Sequence, residues 1–397
     1  MSDSTAEEPP HDKEEKVYLS RSCPLSSLPD EVAISCLARV PISDYAALSL
    51  VSKRYRSLMV SPELKKARVL MGYTKKCLYT CLITRNNSTP LWFILGREKT
   101  KKRLMSPFPS FPSQPPVGST LVAFDWGIYL IGGRVNQKPS SDAWLLDCRN
   151  HTWRQIPSMS VARAYAAAGV VGGKIYVFGG CFAWRKDYPS SWGEVFDPNT
   201  QTWDTLVAQP EKDRISNDYF IRGLVMDEKV YAMQGDQCFY YSPKERKWGR
   251  KNLKASKLEI SSYCCVKDRL LYGCDGYGNV FWCEPEEYEW KEVKGLELLR
   301  NIFPKPVNNG VGELKGKFKW YCELRNFGVN IVVIWFKDNY EDESIDIWCA
   351  EISLERHDEK GEIWGTIEWS EVVANLDRHQ YDGKVKVDVL YSASVDV

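Results

Sequence analysis

One short pattern recurs along this chain and limits what it can fold into. An apolar run that ends in two glycines occurs as GIYLIGG at Gly127–Gly133 and as KIYVFGG at Lys174–Gly180, so that the glycine pairs recur at a spacing of 47 residues. Weaker versions, VYAMQG and LLYGCDG, end at Gly235 and Gly276. Each is followed by a second run that leads to a tryptophan, at positions 153, 203, 248 and 290, and these are 50, 45 and 42 residues apart.

A period of about 40 to 50 residues with several short strands per unit indicates a β-propeller. One four-stranded sheet cannot bury both of its faces alone, whereas blades stacked around an axis bury the faces of their neighbours and close on themselves. The glycines permit close backbone approach after the second strand. The polar segments DPNTQT and SPKERK suit the hairpin between the two outer strands. We therefore expect the tryptophan after each hairpin to begin the outermost strand and to pack against the neighbouring blade.

The two ends of the repeat region predict how the ring closes. KCLYTCLITR and PLWFILGR supply two strands of an incomplete first blade, and NIVVIWF, SIDIWCAEISLE and EIWGTIEW supply a long last blade that ends at Trp369. The C-terminal VKVDVLYSASVDV alternates as a strand does, and we expect it to complete the first blade. The sum is an all-β propeller of six blades over residues 77–395, with room for a seventh in Leu296–Trp320.

The blade over Val161–Leu206 resembles the kelch repeat, which has a glycine pair after an apolar strand, then an aromatic residue and a tryptophan. Its residues follow the order of that family, as Arg163, Gly179, Gly180, Phe196, Asp197, Pro198 and Trp203. The two later blades have Asp236 and Tyr277 in place of the second glycine. The resemblance implies structural roles for Gly132, Gly133, Trp153, Gly179, Gly180, Trp203, Trp248 and Trp290.

The N-terminal region has a different pattern. Residues 1–22 are polar and acidic, which predicts a disordered tail. Residues 23–66 predict a small all-α unit, because Val32, Ala33, Cys36, Leu37 and Val40 recur at helical spacing. Pro29 suits a first helical turn, Pro41 ends that helix, and Ser61 with Pro62 begins a later one. These apolar residues either pack on each other or leave a surface for a partner, since so short a unit is marginal on its own.

This segment resembles an F-box, with Leu28-Pro29-Asp30-Glu31, then Cys36 to Pro41, then Leu48 to Leu58. The family usually has cysteine and tryptophan where this chain has Ser52 and Tyr55. An F-box followed by a divergent kelch propeller resembles the plant F-box/kelch-repeat family.

That resemblance implies a non-catalytic substrate-recognition adaptor of an SCF-type cullin–RING ubiquitin ligase. The F-box would bind the Skp-type linker, and through it the cullin, while the propeller would bind the protein to be ubiquitinated. No catalytic residue, cofactor or metal is implied. The residues implied to face the linker are Leu25, Leu28, Pro29, Val32, Leu37, Pro41, Leu48, Val51 and Leu58.

The substrate surface is expected in loops at one end of the ring. The candidate loops are Arg134–Ser141 and Cys181–Ser191, because both follow a glycine pair and should emerge at the same end. The second loop contains Trp184, Arg185 and Tyr188, which are residue types that often dominate binding energy. The alternative is an ordinary polar loop with one aromatic side chain packed down.

The composition of the chain excludes several other classes of function and partner. The net charge is +1, and no apolar run is long enough to cross a membrane, so neither nucleic acid nor membrane is an expected partner. The N-terminus has no signal peptide, so we expect a cytoplasmic or nuclear protein with its 13 cysteines reduced. Only four histidines are present, too few and too scattered for a copper enzyme. A ligase-independent scaffold stays open, as does a nuclear localisation role for the basic run Arg97–Arg103 beside its interpretation as a solvated hairpin.

Overall fold

A computed structural model of the chain describes residues 27–41, 45–74, 76–84, 91–97, 103–108, 111, 116–149, 151–181, 192–206, 222–234, 237–252, 262–285, 287–303, 322–339, 343–377 and 387–396. The chain divides into two compact units, with the boundary between Thr74 and Lys75. The first unit is helical and the second is a β-propeller.

The described part of the helical unit contains four short helices, α1 (Asp30–Leu37), α2 (Tyr45–Val51), α3 (Lys53–Met59) and α4 (Pro62–Leu70). The predicted start at Ser61 and Pro62 is confirmed, because the Ser61 side chain accepts a hydrogen bond from the Leu64 amide and caps α4. Ser52 caps α3 in the same way, through the Tyr55 amide at 3.1 Å. These caps satisfy amides that short helices otherwise leave without a partner.

The side of α1 that faces the core differs from the predicted face. Ala33 and Leu37 are buried, as predicted, but Val32 is 44% exposed and Cys36 is exposed. Val32 and Cys36 are four residues apart, so they share the outer face of the helix. The helical unit therefore keeps an apolar stripe outside its core.

The propeller consists of six antiparallel sheets of four strands each, which confirms the six-blade prediction. The strands of each blade are given from the innermost to the outermost. The first blade contains β26 (Val387–Asp396), β1 (Lys76–Thr84), β2 (Leu91–Arg97) and β3 (Arg103–Pro107), the second contains β4 (Thr120–Phe124), β5 (Gly127–Ile131), β8 (Ala143–Asp147) and β9 (Thr152–Ile156), and the third contains β10 (Ala167–Val171), β11 (Lys174–Phe178), β12 (Gly193–Asp197) and β13 (Thr202–Thr205). The fourth blade contains β14 (Arg222–Met226), β15 (Lys229–Gln234), β16 (Gln237–Ser242) and β17 (Lys247–Asn252), the fifth contains β18 (Ser262–Lys267), β19 (Leu270–Cys274), β20 (Val280–Cys283) and β21 (Lys291–Glu292), and the sixth contains β22 (Glu323–Phe327), β23 (Asn330–Asn339), β24 (Ser344–His357) and β25 (Glu362–Asp377). A two-stranded hairpin, β6 (Arg134–Val135) and β7 (Lys138–Pro139), extends from the second blade.

The C-terminal strand closes the ring, as predicted. β26 pairs with β1 from Lys76 opposite Asp396 to Thr84 opposite Val387, and so becomes the innermost strand of the first blade. The Tyr391 hydroxyl donates to the Pro116 carbonyl at 2.6 Å and accepts from the Ser119 amide at 3.0 Å. The last strand of the chain is thereby bonded to the segment that enters the second blade.

The repeated tryptophans join consecutive blades. Trp153, Trp203 and Trp248 lie on outermost strands, which confirms the prediction, whereas Trp290 lies one residue before β21. Trp153 packs edge-on against Trp92 of the first blade at 5.1 Å, and Trp248 against Trp192 of the third blade at 4.6 Å. Each outer-strand ring therefore fills space against the preceding blade, where aromatic pairs stabilise the contact.

The segment that could have held a seventh blade contains instead a short helix, α5 (Glu297–Ile302). Its Leu299 is buried in a core cluster shared by the fifth and sixth blades. The long hairpin of β24 and β25 reaches across to the same region, because Lys294 exchanges backbone hydrogen bonds with Ile363 and Gly365. Residues 304–321 of the segment lie outside the described part of the chain.

The expectation that all cysteines are reduced is wrong for one pair. Cys274 and Cys322 form a disulfide across 48 residues of sequence. Cys274 ends β19 in the fifth blade, and Cys322 precedes β22 in the sixth. Sequence spacing gave no sign of this pair, because stacking of neighbouring blades brings the two residues together.

Candidate functional site

In the helical unit, the turn that begins α1 is fixed from a distant helix. Arg54 of α3 donates to the Leu28 carbonyl at 2.5 Å and to the Asp30 carboxylate at 2.7 Å. These bonds hold Leu28 and Pro29 in one position relative to α3. The Leu28-Pro29 turn, which the F-box resemblance singles out, is therefore held in place by hydrogen bonds within the helical unit.

A second arginine holds the opposite end of α1. Arg68 of α4 is only 7% exposed and donates to the carbonyls of Ala38 and Val40 at 3.0 and 2.8 Å and to the Tyr45 hydroxyl at 3.0 Å. It also donates to the Tyr73 carbonyl at 2.6 Å. Burial raises the pKa of the Tyr45 hydroxyl, and the Arg68 charge opposes that rise. These hydrogen bonds join the C-terminal end of α1, the start of α2 and the helix α4 to one another.

The predicted linker-facing residues fall into distinct environments. Leu37 and Leu58 are buried in the core, and Leu28 and Leu48 are half-buried and pack against it. Pro29, Val32, Pro41 and Val51 are exposed, with Val51 at 59%. Leu25 lies outside the described residues. Leu37 and Leu58 thus stabilise the unit, and the apolar surface offered to a partner comes from the exposed members.

Several exposed apolar residues were missing from that set, among them Leu50 on α2 and Val69 and Leu70 on α4. Leu50, which precedes Val51 on α2, is 78% exposed and is therefore more accessible than Val32 or Val51. Helical spacing alone did not separate it from core leucines. Its exposure extends the apolar surface of the helical unit along α2.

The two ends of the propeller ring differ in their connections. Turns between the first and second strands of a blade are two-residue turns in the second to fifth blades, at Asp125–Trp126, Gly172–Gly173, Asp227–Glu228 and Asp268–Arg269. In the last three, both residues have positive φ, as the hairpin turns of twisted sheets require. The opposite end carries the interblade connections and the turns at the glycine pairs, which include residues 116–119, 132–142 and 157–166. We call it the glycine-pair end, after Gly132–Gly133 and Gly179–Gly180.

The glycine pairs are required by contacts with interblade segments. Gly132 has φ +65°, and a Cβ at that position would lie 2.4 Å from the Arg163 carbonyl oxygen. Gly180 has φ +69°, and its Cβ would lie 2.5 Å from the Ala164 carbonyl oxygen. No other residue type fits such an approach, because both the conformation and the space exclude a side chain.

Arg163 connects the loops at this end. Its backbone accepts from the Gly133 amide at 2.7 Å and donates to the Ser140 carbonyl at 3.0 Å. Its guanidinium donates to the carbonyls of Gly179 and Trp192 at 3.0 and 2.8 Å. One buried residue therefore fixes the loop of the second blade against that of the third, and the glycine-pair end is preorganised.

The two candidate substrate loops are described to different extents. The Arg134–Ser141 loop forms the β6–β7 hairpin, in which Val135 is 45% exposed. Trp184, Arg185 and Tyr188 lie outside the described residues, so their assignment stays a prediction. Tyr165, at the start of the third blade, was missed by the sequence analysis, although it is a half-exposed aromatic residue with φ +59°.

No group of three or more His, Cys, Asp or Glu side chains in the described residues is arranged to hold a metal ion. Within the same residues, no helix has the length and apolar character needed to cross a bilayer.

A helical unit with an exposed apolar face, followed by a six-bladed propeller with one elaborated end, defines the class of F-box proteins with kelch repeats. The F-box domain model matches residues 25–67, and the FKB95 Kelch-repeats domain model matches residues 82–374. The chain belongs to the F-box/kelch-repeat family.

Relatives from Arabidopsis thaliana agree with this placement. F-box/kelch-repeat protein At4g39590 is 37% identical over 89% of this chain and 87% of its own length. F-box/kelch-repeat protein At4g39240 is 35% identical over 88% and 87%, and At4g39550 is 37% identical over 89% and 91%. These similarities support a general role as a substrate adaptor of SCF-type ligases, and proteins of this family are generally non-catalytic.

Proposed function

We propose that the helical unit binds the Skp-type linker of a cullin–RING ubiquitin ligase and that the propeller binds a protein destined for ubiquitination. The observation that carries the proposal is that helices α1 and α2 expose the apolar side chains of Val32, Leu50 and Val51. Large apolar side chains left in water mark an interaction surface. The same chain carries a propeller in which the buried Arg163 holds the loops of two blades together at the glycine-pair end.

In this role the protein contributes proximity. Binding a ligase subunit through one unit and a substrate through the other raises the effective concentration of substrate lysines near the charged ubiquitin-conjugating enzyme. The bond-forming chemistry takes place on that enzyme, so the chain needs no catalytic group or cofactor. We place this activity in the cytoplasm or the nucleus.

The linker interaction is tested with substitutions that leave the core intact. Leu28 packs against the core, so the double substitution Leu28→Ala with Pro29→Ala, although expected to abolish linker binding, also weakens the unit. Val51→Asp introduces a charge on an exposed position and should not disturb folding. We expect it to weaken linker binding at least about tenfold, because an apolar contact is lost and a carboxylate is desolvated.

The matched control is Val69→Asp, on α4, where the valine is 53% exposed and outside the predicted set. Binding of purified linker to the full chain and the two variants is measured by calorimetry. If Val51→Asp binds like the wild type, the assigned face is wrong. If the wild-type chain binds no linker at all, the alternative of a ligase-independent kelch scaffold replaces the adaptor.

A further inference from the structure

The hairpin of β24 and β25 in the sixth blade has one face that is turned away from the propeller core. The two strands have 14 and 16 residues and pair up to the turn that joins them. On the inner face of the hairpin end, Ile352 and Ile363 are buried in the core cluster of the fifth and sixth blades. Adjacent residues of a strand point to opposite faces, so Glu355 and Trp364, which are partners in the register, lie on the outer face. Both are exposed to solvent.

Trp364 is a large aromatic side chain on this outer face, and it is held in a defined position. Its side chain is 42% exposed, and its indole N–H donates to the Glu362 carboxylate at 3.1 Å. One side of the ring lies over the backbone of Gly295, where a Cβ would be 3.3 Å from the ring atom Cε3. Tryptophan is over-represented among residues that dominate interface energetics, and a side chain fixed before binding loses little entropy on binding.

The hairpin is strongly acidic. Residues 344–377 contain nine carboxylates and two basic residues, which gives a net charge of −7 with histidine counted as neutral, in a chain whose net charge is +1. One of the two basic residues, Arg356, already pairs with Asp358 at 2.6 Å and with a carboxylate of the fifth blade at 3.7 Å. Further along the hairpin, Arg103 of the first blade lies 3.9 Å from Glu351. These pairs neutralise only part of the negative charge.

The charges beside Trp364 also leave an excess of carboxylates. Glu355 lies opposite Trp364 in the register, Glu362 accepts the bond from the indole, and the exposed Glu368 follows on β25. The basic residue alongside the ring is Lys294, which pairs with Trp364 in a parallel β-bridge. A lysine or arginine side chain of a partner would be attracted both to the exposed side of the Trp364 ring and to the carboxylates.

We propose that the outer face of the β24–β25 hairpin is an interaction surface for a basic protein segment, in which a lysine or arginine side chain lies over Trp364 and pairs with Glu355. In a four-stranded antiparallel blade, the turn between the third and fourth strands lies at the same end as the turn between the first and second. The hairpin turn therefore lies at the end of the ring opposite the glycine-pair end. The surface is separate from the candidate substrate loops, and it does not rest on the proposed ligase role.

The test uses a phage-displayed library of random linear peptides, selected on the full chain, and synthetic copies of the recovered peptides measured by fluorescence anisotropy. We expect the peptides to be enriched in lysine and arginine, and to bind Glu355→Lys and Trp364→Ala at least about tenfold more weakly than the wild type. Lys294→Ala should bind them more tightly, because a repelling charge beside the ring is removed. Binding should also weaken as NaCl is raised from about 50 to about 500 mM, since salt screens exposed charges.

The matched control is Glu245→Lys. Glu245 is an exposed glutamate in the corresponding hairpin of the fourth blade, between β16 and β17, so the variant has the same charge change at the same end of the ring. We expect it to bind the peptides like the wild type.

The proposal is overturned if no peptide is recovered, if the recovered peptides are not basic, or if Glu355→Lys and Glu245→Lys weaken binding equally, which would indicate a general attraction to the chain. Glu355→Lys decides the matter if Trp364→Ala fails to fold, because Glu355 is exposed. Linker binding is measured on the same preparations. Lost linker binding with intact peptide binding rejects the ligase role and leaves this surface standing, whereas normal linker binding with no effect of Glu355→Lys on the peptides rejects this surface alone.

Discussion

Arg163 and Glu194 form an ion pair from which solvent is excluded: the Nη2 and Oε2 atoms are 3.1 Å apart and neither side chain has exposed surface. The Glu194 carboxylate also accepts from the amides of Ser160 and Val161 at 2.7 and 3.2 Å. The segment that connects the second and third blades thereby satisfies the Glu194 carboxylate, while the Arg163 guanidinium also donates to the carbonyls of Gly179 and Trp192 in the third blade. A buried pair with its remaining hydrogen bonds made is tolerated in a core, whereas half of such a pair is not.

Replacing Arg163 by methionine should therefore destabilise the propeller strongly. We expect a loss of about 3–5 kcal/mol in the free energy of unfolding, since Glu194 would remain buried without its countercharge. Urea unfolding followed by tryptophan fluorescence measures this loss in the propeller alone, because all 15 tryptophans lie at or beyond position 92.

The matched control for that substitution is Arg269→Met. Arg269 pairs with Asp227, but the two side chains are 76% and 46% exposed, and such pairs contribute less than about 1 kcal/mol. Equal losses for the two variants would show that the Arg163 pair does not hold the blades together.

The ring closure makes a second prediction. Tyr391→Phe keeps the packing of the ring but removes two hydrogen bonds, the one that the Tyr391 hydroxyl accepts from the Ser119 amide and the one that it donates to the Pro116 carbonyl. We expect a loss of about 1–3 kcal/mol in the same unfolding experiment. Deletion of residues 387–397 should be far more severe, because the first blade loses its innermost strand. A truncated chain that unfolds like the intact one would contradict the closure.

Stability should fall at alkaline pH. Burial raises the pKa of the Cys238 and Cys283 thiols to about 12, and burial also raises the pKa of Tyr79 and Tyr391. In the unfolded chain the thiols ionise near about pH 8.5 and the tyrosine hydroxyls near about pH 10, which are their ordinary pKa values.

The sign of the effect follows from proton binding. Above about pH 8.5 the unfolded state holds fewer protons than the folded state, so the free energy of unfolding decreases as pH rises, and it decreases more steeply above about pH 10. Tyr79→Phe should reduce the slope above about pH 10 by up to about 1.4 kcal/mol per pH unit. A propeller equally stable at pH 8 and at about pH 11 would refute this assignment of buried neutral groups.

The disulfide is tested by direct chemistry. Proteolysis without reductant should release two peptides joined through Cys274 and Cys322, and an alkylating agent in denaturant should leave both cysteines unlabelled until a reductant is added. Replacement of both by alanine should cost up to roughly 4 kcal/mol by the loop-closure relation for a separation of 48 residues. Full labelling of both thiols before reduction would show that the pair is not bonded in solution.

Much of the fold could be predicted from the sequence because each blade is specified locally. Alternating apolar runs, turn-forming segments such as DPNTQT and the tryptophan after them lie within one repeat, so their order can be read without knowing any partner. The closing strand was also predictable, since the first blade had too few strands and the C-terminal segment had no other sheet to join. The cap at Ser61 and Pro62 is likewise a matter of neighbouring residues.

The candidate sites were predicted less completely, because exposure depends on packing. Val32 and Leu37 share the same apolar pattern, yet one faces water and the other the core. Leu50 and Tyr165 carried no distinguishing signal, and the loop with Trp184, Arg185 and Tyr188 stays a prediction.

The sequence by itself therefore determined the repeat unit, the two-part organisation and the family pattern, since these depend on residues close together in the chain. Only the tertiary structure decided which distant residues meet: Cys274 with Cys322, Arg163 with Glu194, and Arg134 with the ring of Tyr165. The physical reason is that blade stacking and ring closure create contacts across tens to hundreds of residues, and no local spacing encodes which side chains those contacts bury.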